Sequence, residues 1–190
     1  TDHNTACNAG AVWRAAQGTG LAVWPGLEVQ TREDVHLLCL FQEWEPALDW
    51  QARVYAALPA RANRPEVFGA QWAVDHRGDY VRTIDRLLAA STALGVAEVA
   101  EGVEALGGLV IAAHVDRPSY SLLGSLGFVP EGLALAALEV TARGAENPPP
   151  GAAGWPLVSS SDAHCREEMR VGMLLQVAAP TMEEFRLALA

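Results

Sequence analysis

The sequence predicts a single α/β domain in which short buried strands alternate with helices. Apolar runs such as LVIAA (109–113) and VHLLCLF (35–41) lack the polar alternation of a sheet that is solvated on one face. Stretches with helical spacing lie between these runs. The 190 residues, 51% of them hydrophobic, are enough to form one well-buried core, and the chain is short for two domains. We therefore expect residues 1–190 to form one domain with a parallel sheet covered on both faces.

The helices follow from apolar spacing and from the residues that stop them. The pattern predicts helices over residues 8–17, 45–58, 96–106 and 181–189. Gly18, Pro59 and Gly107 end the first three, because glycine and proline disfavour continued helix. Between the second and third helices, the spacing predicts further helical turns at 65–74 and 82–94 and a polar loop at 75–79.

The strands are the apolar runs between these helices. They are predicted within residues 21–29, 35–41, 109–113, 133–141 and at the start of 156–164. The run at 133–141, LALAALEVT, is also compatible with a buried helix, since periodicity alone does not separate the two. Residues 144–154, with three consecutive prolines, are predicted to be a loop.

Composition limits the partners that we expect. The formal charge of −10 and the pI near 4.9 oppose binding of a polyphosphate backbone, so we expect a small substrate and no long nucleic acid. Three cysteines without a CxxC pair indicate neither a disulfide framework nor a thiolate zinc site and favour a reducing cytoplasm. No apolar stretch reaches the roughly 18–20 residues that span a bilayer, so no membrane is expected. The oligomeric state stays open.

Histidines and a carboxylate stand where several apolar runs end. They occur in TDH (His3), AAHVDRP (His114) and SSSDAH (Asp162 and His164). Imidazoles and carboxylates gathered at strand ends are typical of the metal sites of α/β barrels. Asp162 and His164 are two residues apart, so on an extended chain both side chains leave the same face. Taken singly, each has an ordinary alternative: a turn after a strand, a hydrogen-bonded core histidine, or a flexible terminus.

Glu28 and His36 join this set if the two runs that hold them form a hairpin. A three-residue connection at 31–33 would place Glu28 directly opposite His36 on one face, whereas an even-numbered connection would put them on opposite faces. A solvated glutamate and a core histidine are the alternatives. The apolar neighbours of Glu28 favour the hypothesis of a site, because a buried carboxylate needs a cation.

Two arginines are candidates for contacts with phosphate. Arg117 follows His114 closely, and its planar guanidinium matches phosphate oxygens, although an ion pair with Asp116 is an equal alternative. Arg64 is the second candidate, and a structural role is its alternative.

Five motifs together resemble the polymerase and histidinol phosphatase (PHP) superfamily. They are TDHNT (1–5), PGLEV (25–29), VHLLCLF (35–41), GGLVIAAHVDRP (107–118) and SSSDAH (159–164). The resemblance implies a distorted (β/α)7 barrel with up to three divalent metal ions at its rim. It carries the metal ligands onto His3, Glu28, His36, His114, Asp162 and His164, and makes Glu28 the residue that bridges two metals. The family's first motif, His-x-His, would stand before TDH, so we expect an amino-terminally incomplete barrel without its first strand and helix.

The resemblance implies a metal-dependent phosphoesterase that hydrolyses a phosphomonoester or phosphodiester by a metal-activated hydroxide. Glu28, Asp162, Arg117 and Arg64 form the expected catalytic set, and the histidine and carboxylate ligands suit Zn, Mn or Fe. The expected substrate is a small phosphorylated molecule such as a nucleotide. The alternatives are a non-catalytic PHP-like module that binds metal or a protein partner, and a metal-dependent hydrolase of C–N bonds.

Overall fold

The structure, a computed structural model, describes residues 1–189 and has a mixed α/β architecture. Ala190, the last residue of the predicted domain, lies outside the described residues. The strands are β1 (Asp2–His3), β2 (Gly26–Gln30), β3 (His36–Leu40), β4 (Trp72–Val74), β5 (Tyr80–Thr83), β6 (Leu109–Ala112), β7 (Ala137–Glu139) and β8 (Leu157–Val158). Within the described part of the chain, one six-stranded sheet has the order β1-β2-β3-β6-β7-β8, and β4 and β5 form a separate hairpin.

The helices lie between the strands of the large sheet and at the carboxyl end of the chain. They are α1 (Ala9–Ala15), α2 (Trp44–Ala57), α3 (Pro65–Phe68), α4 (Val96–Glu104), α5 (Leu122–Leu126), α6 (Ala142–Glu146) and α7 (Met182–Leu189). The four helices predicted from spacing are therefore present, each within a few residues of its expected bounds. Over residues 1–189, no helix has the length and apolar character needed to cross a membrane.

The large sheet is mixed, which corrects the expectation of a parallel sheet. β1 is parallel to β2, and β7 and β8 continue parallel to β6, but β3 is antiparallel to both of its neighbours. The connection from β2 to β3 covers only 31–35, which is too short for the crossover that parallel strands need. The architecture is consistent with a PHP-like fold. Among residues 1–189, β1 and β8 stand at the two edges of the sheet, and closure into a barrel is not seen.

Two helices cover the sheet and form the core with it. Trp50 and Val54 of α2 and Val99 and Val103 of α4 are almost completely buried. The helices also contact each other closely, because Gly102 of α4 lies against the indole ring of Trp50. The absence of a side chain at this glycine sets the distance between α2 and α4.

The segment between α2 and α4 differs most from its prediction. Only α3 is helical within 65–74, and the chain then forms the hairpin β4-β5 around the loop at 75–79. Gly78 adopts a positive φ in this turn, and the Asp75 carboxylate accepts the backbone N–H groups of Arg77 and Asp79. Residues 82–94 are a strand end followed by irregular chain. Most side chains here are exposed, so apolar spacing carries little information about the secondary structure.

The contact between Gly102 and Trp50 gives a prediction for stability. A Cβ atom at Gly102 would lie 2.4 Å from Trp50 Cζ3, a distance that requires the indole to move. We expect Gly102→Ala to lower the free energy of unfolding by about 1–3 kcal/mol in chemical denaturation, although alanine favours helix over glycine by about 1 kcal/mol.

A double-mutant cycle separates this clash from other effects. In a Trp50→Phe background, which provides space for the methyl group, Gly102→Ala should destabilise the chain much less or stabilise it. Equal destabilisation in both backgrounds would show that the contact with the indole is not the cause.

Candidate metal centre

The predicted ligands meet at one end of the strands of the large sheet, where β1 and β6 finish and β3 begins. His3 ends β1, Glu28 lies inside β2, and His114 follows the end of β6. His36 begins β3 rather than ending it. Because β3 runs antiparallel to β2 and β6, its first residue lies at the same edge as the ends of its parallel neighbours. The opposite position of His36 within its apolar run is thus explained by the direction of its strand.

Glu28 is the centre of this group. Its Oε1 lies 3.0 Å from Nδ1 of His36 and 3.5 Å from Nε2 of His114, and its Oε2 lies 3.7 Å from Nδ1 of His3. Every residue of β2 is buried, and the Glu28 side chain lines the pocket described below. The two oxygens divide the histidines, with His36 and His114 on one side and His3 on the other. Both oxygens of the carboxylate therefore lie close to imidazole nitrogens.

The hairpin places Glu28 and His36 on the same face, but with a register that differs from the predicted one. Gln30 pairs with His36 and Glu28 pairs with Leu38, so the connection has five residues instead of three. The register has therefore moved by two residues. Side chains alternate with a period of two along a strand, so Glu28 and His36 keep their common face as diagonal neighbours.

The protonation of the site follows from its burial and from the neighbouring charges. Burial by itself raises the pKa of the Glu28 carboxyl, but contacts with the His114 and His36 imidazoles and the charge of His3 outweigh it and hold this pKa well below its usual range. For His3, burial is the largest influence and lowers the pKa of the imidazole, although Glu28 opposes this shift. The site therefore favours an ionised carboxylate beside a neutral imidazole, the forms that bind divalent metals.

Asp162, His164 and Arg117 complete the wall of the pocket. Nη1 of Arg117 lies 2.7 Å from Oδ2 of Asp162, whereas the Asp116 carboxylate accepts hydrogen bonds from Thr141. His164 donates from Nδ1 to the carbonyl oxygen of Asp162 at 2.9 Å, which leaves its Nε2 as the nitrogen with a free lone pair. Arg117 therefore forms its ion pair with Asp162 and not with the neighbouring Asp116.

All six predicted ligands and Arg117 line one pocket of about 320 Å³. Its wall consists of His3, Glu28, His36, His114, Arg117, Pro118, Ser119, Tyr120, Asp162 and His164. Arg64 is not among these residues. Its guanidinium carbon lies 5.8 Å from the ring centre of Phe68, at the start of α3. The structure thus brings together every predicted site residue except Arg64.

Three residues that the sequence analysis did not select hold the ligands in position. Tyr120 stacks on His36 with ring centres 5.0 Å apart and accepts the His36 backbone N–H. Asn4 is fully buried and ties the chain after His3 to the backbone of β2 and to Leu88. A buried Glu139 accepts the backbone N–H of His114 at 3.1 Å. Glu139 is a carboxylate inside the apolar run at 133–141, as Glu28 is inside its own run, and that position is the signal that could have identified it.

The donor atoms fit a divalent metal ion. One ligand atom from each of His3, Glu28 and His36 lies within 4.8 Å of the others, so the three could coordinate a common ion. Nε2 of His36 and Nδ1 of His114 are buried and have no hydrogen-bond partner within residues 1–189. Buried imidazole nitrogens without a partner are costly in a protein interior, and a metal ion would satisfy such atoms.

Comparisons with known proteins show a likeness in fold. The chain is similar to the lesion-specific endonuclease PfuEndoQ from Pyrococcus furiosus, with a TM-score of 0.53 and 19% sequence identity over 86% of this chain. The chain spans 38% of the length of that endonuclease. A structure of Endonuclease Q with a 27-mer duplex substrate that has an abasic lesion at the active site has a TM-score of 0.48, at 19% identity and the same coverage of both chains. No family model and no curated protein matches the chain.

The likeness corrects the expectation about partners. A small substrate and no long nucleic acid were predicted from the charge of −10, but a solved structure that shares this fold is an endonuclease. The prediction is wrong because the net charge averages over the whole chain. Affinity for a polyphosphate strand depends on where basic side chains lie, and a local cluster can oppose the overall charge.

The position of Glu28 gives a prediction for metal binding. Replacing the carboxylate in Glu28→Gln removes a negative charge that contacts three imidazoles, so we expect the affinity for Mn²⁺ or Zn²⁺ to fall by more than about a hundredfold in isothermal titration calorimetry. Glu101→Gln, at an exposed position of α4, is the matched control and should bind metal as the unmodified chain does. Equal affinities in the two variants would contradict a metal centre at Glu28.

Proposed function

We propose that this protein is a metal-dependent phosphoesterase of the nuclease type, which hydrolyses a phosphodiester bond in nucleic acid. The observation that carries the proposal is the buried Glu28 carboxylate, whose two oxygens face different histidines at the floor of a pocket with Arg117 in its wall. The likeness in fold to an endonuclease supports the nucleic-acid substrate.

The ligand set that we propose is His3, Glu28, His36, His114, Asp162 and His164. The ions that suit this set are Zn, Mn or Fe, with up to three in a complete PHP-type site. Such ions supply a water-derived nucleophile at neutral pH and neutralise charge on the phosphoryl oxygens. We also propose that the six-stranded sheet belongs to a PHP-type barrel.

The protein's own side chains have separate tasks in this proposal. Glu28 holds the histidines on its two sides in place, because its strand is buried and its carboxylate contacts His3, His36 and His114. Tyr120 and Glu139 fix the orientations of His36 and His114 through stacking and a backbone hydrogen bond. A fixed arrangement of ligands lowers the reorganisation that the reaction requires.

Arg117 is the proposed contact with the scissile phosphate. Its side chain is partly exposed at the wall of the pocket and is held there by the contact with Asp162 Oδ2. Planar guanidinium groups bind phosphate oxygens through two parallel hydrogen bonds and retain their charge at any physiological pH. Oδ1 of Asp162 stays available for a metal ion, so the two residues act together.

The test is hydrolysis of an end-labelled oligonucleotide by the purified chain with Mn²⁺, Zn²⁺ or Fe²⁺, measured beside a cyclic amide substrate. Cleavage that depends on the metal and is lost in Glu28→Gln supports the proposal. The non-catalytic module is not favoured by the comparison, and tight metal binding without cleavage would reverse that conclusion. Activity on the cyclic amide alone would instead identify a hydrolase of C–N bonds.

Substitution of Arg117 gives a quantitative prediction. Loss of one charged contact with the phosphate removes about 2 kcal/mol of stabilisation, so Arg117→Gln should lower kcat/KM for the oligonucleotide roughly thirtyfold. Arg53→Gln, at an exposed position of α2, is the matched control and should leave kcat/KM unchanged. An unchanged kcat/KM in Arg117→Gln would show that Arg117 does not contact the substrate.

A further inference from the structure

We propose that an exposed surface beside the metal pocket binds the unpaired bases and backbone of the substrate strand. This surface, the aromatic–arginine face, is formed by Arg61, Arg64, Phe68, Trp72 and Tyr80 from α3, the hairpin β4-β5 and the chain before them. The inference rests on the proposed function and extends it, because it states how the strand is held and in which form.

The aromatic rings of this face are available to a ligand. Phe68, Trp72 and Tyr80 are 43%, 57% and 61% exposed. Trp72 and Tyr80 stand on neighbouring strands with ring centres 6.1 Å apart and planes at 87°, so each restricts the motion of the other. Large aromatic side chains are costly to expose, and a cluster of them on a surface marks a binding site.

The charge of this region opposes the charge of the chain. Residues 61–86 contain five of the 13 basic residues and four carboxylates, which gives a formal charge of +1 in a chain of −10. Arg61 and Arg64 lie over the ring of Phe68, with guanidinium carbons 5.7 and 5.8 Å from its centre, and both remain exposed. Arginines interleaved with aromatic rings are the combination that binds single strands, because guanidinium groups contact phosphates and rings stack on bases.

The aromatic–arginine face is continuous with the metal centre. A cavity of about 400 Å³ has Phe68 and Trp72 on one side and His3, Glu28 and His164 on the other. A strand whose phosphodiester lies at the metal ligands would therefore extend directly onto the rings. Stacking needs bases that are not covered by neighbours, so the geometry favours an unpaired stretch over an intact duplex.

The binding test uses a fluorescently labelled oligothymidylate of about 16 nucleotides, the upper end of the site size of such surfaces. Fluorescence anisotropy in the presence of a chelator measures binding without hydrolysis. We expect Trp72→Ala and Tyr80→Ala each to weaken binding about five- to tenfold, because each removes one stacking ring. Trp13→Ala, which removes an equally exposed ring on α1, is the control and should bind as the unmodified chain does.

The arginines give a second readout. Each phosphate contact of a single strand adds about 0.7 to the slope of log Kd against log salt concentration. Arg61→Gln and Arg64→Gln should each reduce this slope by about that amount, whereas Arg53→Gln should not change it. Tighter binding of the unlabelled single strand than of a duplex of equal length, measured by competition, is also expected.

Several results would overturn the inference. Unchanged binding in both Trp72→Ala and Tyr80→Ala would show that the rings do not touch the strand. If Trp72→Ala lowers the melting temperature, Trp72→Phe keeps the test valid, since it retains a ring and should restore binding. If the chain binds the oligonucleotide through Trp72 but hydrolyses no phosphodiester, the proposed function is refuted and this inference stands. If the chain hydrolyses the phosphodiester but binds equally well without the rings, this inference is refuted and the proposed function stands.

Discussion

The burial of the Glu28 carboxylate is the constraint on which the site depends. β2 lies between β1 and β3 with every residue buried, so an ionised group on this strand must find its partners inside the protein. Three imidazoles provide them, one from the strand on each side and one from the end of β6. The same imidazoles would repel one another if protonated. A carboxylate surrounded by neutral imidazoles is a stable arrangement only with a cation or with carefully placed protons.

The sheet explains how residues far apart in sequence reach this carboxylate. The antiparallel direction of β3 brings its first residue to the edge where β1 and β6 end. The backbone beside the site has an uncommon conformation: His114 and Asp162 both adopt a positive φ although neither is glycine. Such conformations are unfavourable and persist where surrounding contacts enforce them, as the hydrogen bond from His114 to Glu139 does. Of the five non-glycine residues with positive φ among residues 1–189, three, His114, Tyr120 and Asp162, line the pocket.

The distribution of charge matters more for this protein than its total. The chain is acidic overall, yet residues 61–86 have a formal charge of +1, and Arg61 and Arg64 of this segment are exposed beside Phe68. Arg117 contributes a further positive group inside the pocket, balanced by Asp162. An acidic body with a local basic surface directs a polyanion to one place and repels it elsewhere, which favours correct orientation over general affinity.

The sequence by itself determined the residue types of the site and most of the regular elements. Buried apolar runs and helical spacing predicted β2, β3, β6 and the helices α2 and α4. The period of two kept Glu28 and His36 on one face even though the register differed. Tertiary structure alone decided the register between β2 and β3, the pairing of Arg117 with Asp162, and the position of Arg64 on Phe68 rather than in the pocket. The exposed hairpin β4-β5 also escaped prediction. Burial leaves a periodic record in the sequence, whereas polar contacts between distant segments and exposed strands leave none.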